Sequence, residues 1–204
     1  MKEIKKQIKN AYNLDQQIKA LKLMEKYLKE NPKDEEILLL KAQILEDSNL
    51  WGYLDEETKK IDPLQLINDI IKINSKYALA WNEKGNILSE NPRTILKALV
   101  CYKKALELAP KEYIILFNMA RCFQKRNEHK KAINLFNSYI KHKPKNEEAF
   151  FYKAISHAYL KEKKQMIKSL KKSFKLDDGD LMQLQACQHP LLRSFLSDPI
   201  TPSL

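Results

Sequence analysis

Glycine is nearly missing from this chain, with 3 in 204 residues. No glycine-rich phosphate loop and no GxSxG nucleophile turn can be built from them. Scarce glycine beside abundant Lys, Leu, Glu, Ala and Gln favours an all-α protein over an α/β enzyme. Cysteine is as scarce: Cys101, Cys122 and Cys187 form no CxxC pair, and their odd number reads as free thiols in a reducing compartment. No apolar run reaches the length of a membrane span. The N-terminal MKEIKKQIKNAY lacks the apolar core of a signal peptide, which leaves the cytoplasm as the default location. Arginine is short too, with 4 against 33 lysines in a chain of net charge +11. Bidentate recognition of phosphate and guanine rests on arginine, so the composition argues against a nucleic-acid partner. The charge is uneven. Residues 113–180 hold 16 basic and 7 acidic groups, whereas residues 1–112 hold 20 and 18. The positive surface belongs to the C-terminal half, and its natural partner is acidic.

A catalytic or metal constellation is also lacking. His129, His142, His157 and His189 fall on separate elements, with no HExxH and no zinc spacing. Cys187-Gln188-His189 has no second ligand pair, and Asp177-Asp178-Gly179-Asp180 lacks the glutamate that closes a calcium loop. The expectation is a protein without catalytic residues, metal or cofactor.

What the chain does have is repetition. Tyr27 to Glu36 reads YLKENPKDEE and Tyr139 to Glu148 reads YIKHKPKNEE, 112 positions apart. Each pairs a helix-ending proline with acidic residues suited to the first turn of the next helix. Pro110 and Pro144 lie 34 apart, the period of a helix–turn–helix repeat. Three such periods account for the 112 once insertions are allowed at Ser89–Arg93 (one residue) and at Glu46–Asp62 (about nine), both in turns where extra residues cost little. Second helices then align on Ala20, Ala98, Ala132 and Met166. First helices align on a large apolar residue (Leu38, Trp81, Leu116, Phe150) with a small one four further on (Ala42, Gly85, Ala120, Ala154). Gly85 is read as the place where a neighbouring helix backbone comes close. Asp62-Pro63 and Asn91-Pro92 read as a cap and first helical position.

These residues resemble the tetratricopeptide repeat family, with Trp81, Gly85, Ala98, Tyr102, Ala105 and Pro110 matching its motif. The resemblance implies a right-handed α-solenoid of about five repeats with a C-terminal capping helix. Their bounds are 1–34, 35–77 (with the inserted loop 46–62), 78–112, 113–146 and 147–178. A capping helix at 179–197, apolar along Leu181, Leu184, Cys187 and Leu191, and a flexible tail at 198–204 follow. Family members bind peptide segments on the concave surface lined by first helices. That phase brings Asn82, Asn86, Phe117, Asn118, Arg121, Phe151 and Tyr152 into a groove, as exposed aromatics flanked by amides. Asn86 and Asn118 match asparagines of members that clamp a C-terminal carboxylate, but the cations of that clamp are missing. In the inserted loop Trp51 is expected to fold back onto repeat two. The resulting expectation is a non-catalytic adaptor or co-chaperone-like scaffold for a protein or peptide ligand. Its rivals are a self-associating structural protein, with Pro199–Leu204 as the exchanged peptide, and an RNA-associated protein using the lysine-rich C-terminal half.

Overall fold

The computed structural model of the chain describes residues 2–13, 16–178 and 181–196. Expectations on Gly179, Asp180 and the tail 198–204 lie outside these residues. Among the described residues every regular element is helical, and no helix is long and apolar enough to cross a membrane. The chain forms two compact units, Met1–Ala109 and Pro110–Leu204.

The first unit pairs α1 (Lys2–Asn13) with α2 (Gln17–Glu30). It then pairs α3 (Glu35–Leu45) with a later helix, α5 (Pro63–Ile73), with a 3-10 turn (Ser48–Tyr53) and the short α4 (Glu56–Lys59) between them. Finally α6 (Ala78–Ser89) pairs with α7 (Ile95–Leu108). The repeated decapeptide explains itself at Asp34. Its carboxylate caps α3 by accepting from the Ile37 amide, and also accepts from Tyr27 Oη (2.8 Å) and Lys5 Nζ (2.8 Å). One side chain thereby ties the end of α2, the start of α3 and the side of α1 together. Burial opposes the Asp34 charge, but these hydrogen bonds outweigh it and hold its pKa below the ordinary carboxylate value.

A polar chain runs through the same unit. Tyr12 Oη donates to Gln43 Oε1 (3.2 Å), Gln43 Nε2 to Glu83 Oε2 (3.1 Å), Asn86 Nδ2 to the same oxygen (3.3 Å), and Tyr102 Oη to Asn86 Oδ1 (2.9 Å). Tyr102 stands at its end because α6 has no side chain at Gly85. A Cβ there would lie 2.6 Å from Tyr102 Cε1. The glycine therefore makes room for an aromatic ring, not for the backbone expected from sequence.

Two further expectations change in this unit. The inserted loop packs between α2 and α3, but Trp51 does not fold back: Leu54 is buried in the core shared by α1, α2 and α3 and Leu50 packs against it, leaving Trp51 49% exposed. Leu50 and Leu54 take the inward positions of the segment, so the indole between them points out. Asn91-Pro92 does not open α7. Asn91 Oδ1 instead accepts from the Arg93 amide, Thr94 Oγ1 reaches the Leu88 carbonyl (2.6 Å), and the helix begins at Ile95. Asp62 does cap α5, with Pro63 in its first turn.

In the second unit α8 (Ile114–Lys125) pairs with α9 (His129–His142), and α10 (Glu147–Tyr159) with α11 (Lys163–Leu176). Asn146 caps α10 by accepting from the Ala149 amide (2.8 Å), just as Asp34 caps α3. Asn127 and Lys161 take positive φ (59° and 60°) in turns 34 residues apart, closing each helix end in the left-handed conformation. The core joins Phe117, Ala120, Ala132, Phe136 and Tyr139, and continues through Ala154, Met166 and Leu170. The single capping helix of the sequence reading is two helices, α12 (Leu181–Gln188) and α13 (Pro190–Leu196). Proline disfavours helical backbone at the residue before it, so the break falls at His189. The buried face of α12 is Met182 and Ala186, whereas Leu181 and Leu184 are more than half exposed and Cys187 is exposed. Asp177, considered above as a calcium ligand, accepts from the Met182 amide instead.

Asp34→Asn keeps the cap but loses the charge, and should cost about 1.5 kcal/mol at neutral pH. The folded-state pKa of Asp34 is lowered from 3.8, so its contribution is present above that pH and lost as pH falls through the folded value. Urea midpoints of wild type and variant should therefore converge below pH 3.8; a gap that stays constant with pH would exclude the ionic role. Gly85→Ala should gain about 1 kcal/mol of helix propensity yet lose more, roughly 1–3 kcal/mol, to the clash with Tyr102. Tyr102→Leu in the same chain should remove that clash, so the double variant should lose less than the sum of the two.

Candidate functional site

A cleft of about 440 Å³ opens in the second unit, bounded by α8, α10, the start of α9 and the end of α12. Arg121, Gln124 and Lys125 line it from α8. Phe151, Tyr152, Ile155 and Tyr159 line it from α10. Gln124 sets the spacing of the two helices: its Nε2 donates to the Tyr152 carbonyl (2.6 Å) and to Ser156 Oγ (2.7 Å). The Arg121 guanidinium lies 4.3 Å from the centre of the Tyr152 ring. That is a cation–π contact, worth about 0.5–1 kcal/mol at an exposed site. Arg121 is exposed and pairs with no carboxylate among the described residues.

Two histidines meet in this cleft although sequence spreads them over separate elements. His129, at the first position of α9, stacks on Tyr159 with ring centres 4.3 Å apart and planes 9° from parallel. It is buried, and neither ring nitrogen has a hydrogen-bond partner. Burial pushes its pKa below the ordinary 6.5, so the ring is neutral at physiological pH. His189, at the α12–α13 break, has its pKa lowered by burial as well. The cleft thus offers an unpaired cation, two aromatic faces and a neutral imidazole with one unused donor and one unused acceptor.

Of the seven residues expected from sequence, Arg121, Phe151 and Tyr152 line this cleft. Asn118 is half-buried on α8 outside it. Phe117 is only 6% exposed: it meets Phe136, Tyr139 and Tyr152 at 5.7, 5.3 and 5.9 Å between ring centres. Phe151 is 4% exposed and Asn82 7%. These three are core residues, so the expected row of exposed aromatics is corrected to one partly open ring, Tyr152, braced from beneath by Phe117. Asn82 and Asn86 belong to α6 of the first unit, where Asn86 is engaged by Tyr102 and Glu83. The residues missed from sequence are Gln124, His129 and His189. Nothing in local spacing marks them, because 60 residues separate the two histidines.

His129→Phe should preserve the stack on Tyr159 and remove two unpaired polar atoms, raising stability by about 1–2 kcal/mol at neutral pH. A base with a depressed folded pKa stabilises above its unfolded value and loses that contribution as pH falls, so wild type should weaken below pH 6.5 while the variant should not. Thermal unfolding on both sides of that pH checks this, and parallel curves would show a satisfied histidine.

Residues 101–134 match the family model described as Tetratricopeptide repeat, a stretch running from within α7 across α8 into α9. No curated protein matches the sequence. Solved structures do share its fold. One is TTC0263, a thermophilic TPR protein of Thermus thermophilus (17% identity, TM-score 0.72, covering 90% of this chain and 95% of that one). Another is PilW, described as a widely conserved type IV pilus biogenesis factor (17%, TM-score 0.72, 96% and 98%). A third is YrrB, described as a TPR protein with an unusual peptide-binding site (13%, TM-score 0.61, 89% of each chain). Residues 101–134 thus match a tetratricopeptide repeat, and the described residues, all helical, share the fold of solved tetratricopeptide-repeat structures.

Proposed function

We propose that the chain is a protein-interaction adaptor that holds a peptide segment of a partner in the Arg121–Tyr152 cleft. Tetratricopeptide proteins of this fold serve as interaction scaffolds, and a related fold carries a peptide-binding site in YrrB. The observation that carries the reading is Arg121 itself. Its guanidinium is exposed, lies over the Tyr152 ring and has no carboxylate partner among the described residues. An acidic residue of the ligand would meet Arg121 end-on while an apolar or aromatic neighbour would lie along Tyr152 and Tyr159. The unused nitrogens of His129 would accept from and donate to the ligand backbone deeper in the cleft. Arg and Tyr are among the residue types that most often dominate such contacts.

The test is affinity capture from the native lysate with wild type and Arg121→Glu, read by quantitative mass spectrometry. Arg121 is exposed, so its reversal should leave the helical circular-dichroism spectrum unchanged. Partners retained by wild type and depleted about tenfold or more by the variant would support the cleft, since loss of a charged anchor typically costs at least about 1.4 kcal/mol. Partners retained equally would move the interaction elsewhere on the chain.

A further inference from the structure

Helix α10 has a second working face. Phe150, Lys153 and His157 point to one side of it, and Phe151, Tyr152, Ile155 and Tyr159 to the other. With 3.6 residues per turn their mean directions differ by roughly 180°. The first set opens into a groove of about 670 Å³ between α9, α10 and α11. Its floor is apolar: Ile133 and Phe150 are half-buried there. Its walls are lysines. Lys168, Lys171, Lys172 and Lys175 follow one another at helical spacing along α11, and Lys153 faces them from α10.

This arrangement costs the folded protein something. Like charges three and four residues apart repel on a helix, by about 0.2–0.5 kcal/mol per pair. Elsewhere lysines answer such crowding with carboxylates, as Lys5 does with Asp34, Lys9 with Glu36 and Lys72 with Asp69. No Asp or Glu lines this groove, and among the described residues none of its five lysines forms an ion pair. Lys153 is half-buried, and burial together with the charge of Lys168 lowers its pKa. The groove therefore combines five lysines without an ion pair and an apolar floor left partly wet; one carboxylate beside it, Glu162, is engaged by His157 Nδ1 (2.6 Å). Each feature calls for a different half of one ligand.

We infer that the groove between α9, α10 and α11 docks an acidic peptide segment carrying one large apolar side chain, which covers Ile133 and Phe150 while flanking carboxylates meet the lysines. Charge complementarity selects an anion. The apolar floor selects a ligand with an apolar side chain over a bare polyanion, since a phosphate backbone alone would leave Phe150 and Ile133 in water. The absence of arginine from the walls points the same way. The site lies on the face of α10 opposite Tyr152 and does not depend on the cleft proposed above.

The test uses the full chain and a fluorescein-labelled Asp/Glu peptide with one central Phe, followed by fluorescence anisotropy at physiological ionic strength. Replacing the central Phe with Ala should weaken binding by about tenfold or more, the share of a buried aromatic side chain. Lys171→Glu/Lys175→Glu should weaken it at least as much; both side chains are exposed, and circular dichroism confirms the fold. Arg121→Glu, which removes the guanidinium of the cleft, should keep the component of peptide binding that the lysine variant loses, which separates this groove from the cleft. The inference is overturned by no binding of the Phe peptide, by equal affinity for the Phe and Ala peptides (plain charge attraction), or by loss in Arg121→Glu instead of the lysine variant. Single-stranded polyadenylate bound more tightly than the peptide, and lost in the same lysine variant, would assign the groove to nucleic acid and overturn it as well.

Discussion

Two helices can share an interface without a gap only where one of them gives up side-chain volume to the other. That constraint organises both units. At Gly85 the loss is complete, and the Tyr102 ring sits where a Cβ would be. Ala42, Ala120 and Ala154 make smaller concessions at the equivalent positions, and all three are fully buried. The consequence at Gly85 reaches beyond packing. With its ring seated against α6, Tyr102 can present its hydroxyl to Asn86, and the hydrogen-bonded chain continues through Glu83 and Gln43 to Tyr12. A buried carboxylate such as Glu83 is tolerable only because two amides donate to it. The missing side chain and the polar network are thus one feature.

In the second unit two clefts open on α10. Its alanines pack the core, and its two remaining faces look in opposite directions. One face carries rings, with the buried imidazole of His129 from α9 and the exposed guanidinium of Arg121 from α8 beside them. The other offers lysines over an apolar floor. The excess charge of residues 113–180 is therefore not a uniform coat. Part of it is gathered along one stripe of α11, where mutual repulsion is uncompensated within the groove. One helix can line two clefts of different chemistry in this way, because residues four apart share a face and residues two apart do not.

The helices and their pairing were legible because each rests on short-range physics. The decapeptide announced a helix stop and a new start, and Asp34 and Asn146 cap the helices that follow. The small-residue positions followed from a fixed period. What sequence misjudged were the side chains one step off that period. Phe117 and Phe151 were read as exposed because they lie beside the core stripe, yet neighbouring rings from α9 and α10 close over Phe117. Trp51 was expected to fold back onto repeat two, but Leu50 and Leu54 took the inward positions.

By itself, then, the sequence determined the helical class, the repeat period and the Asp62-Pro63 start of α5, though not the start of α7, since propensity, proline and capping act within a few residues of the chain. Only the tertiary structure decided which rings are buried, that His129 and His189 share a cleft, and that Lys153 faces the lysine stripe of α11. Those outcomes depend on which helix lies against which and at what spacing, set here by contacts such as Gln124 to the Tyr152 carbonyl across 28 residues. A periodic pattern tells which face of a helix is apolar. How far a neighbouring helix covers that face is a distance between elements, and no local pattern encodes it.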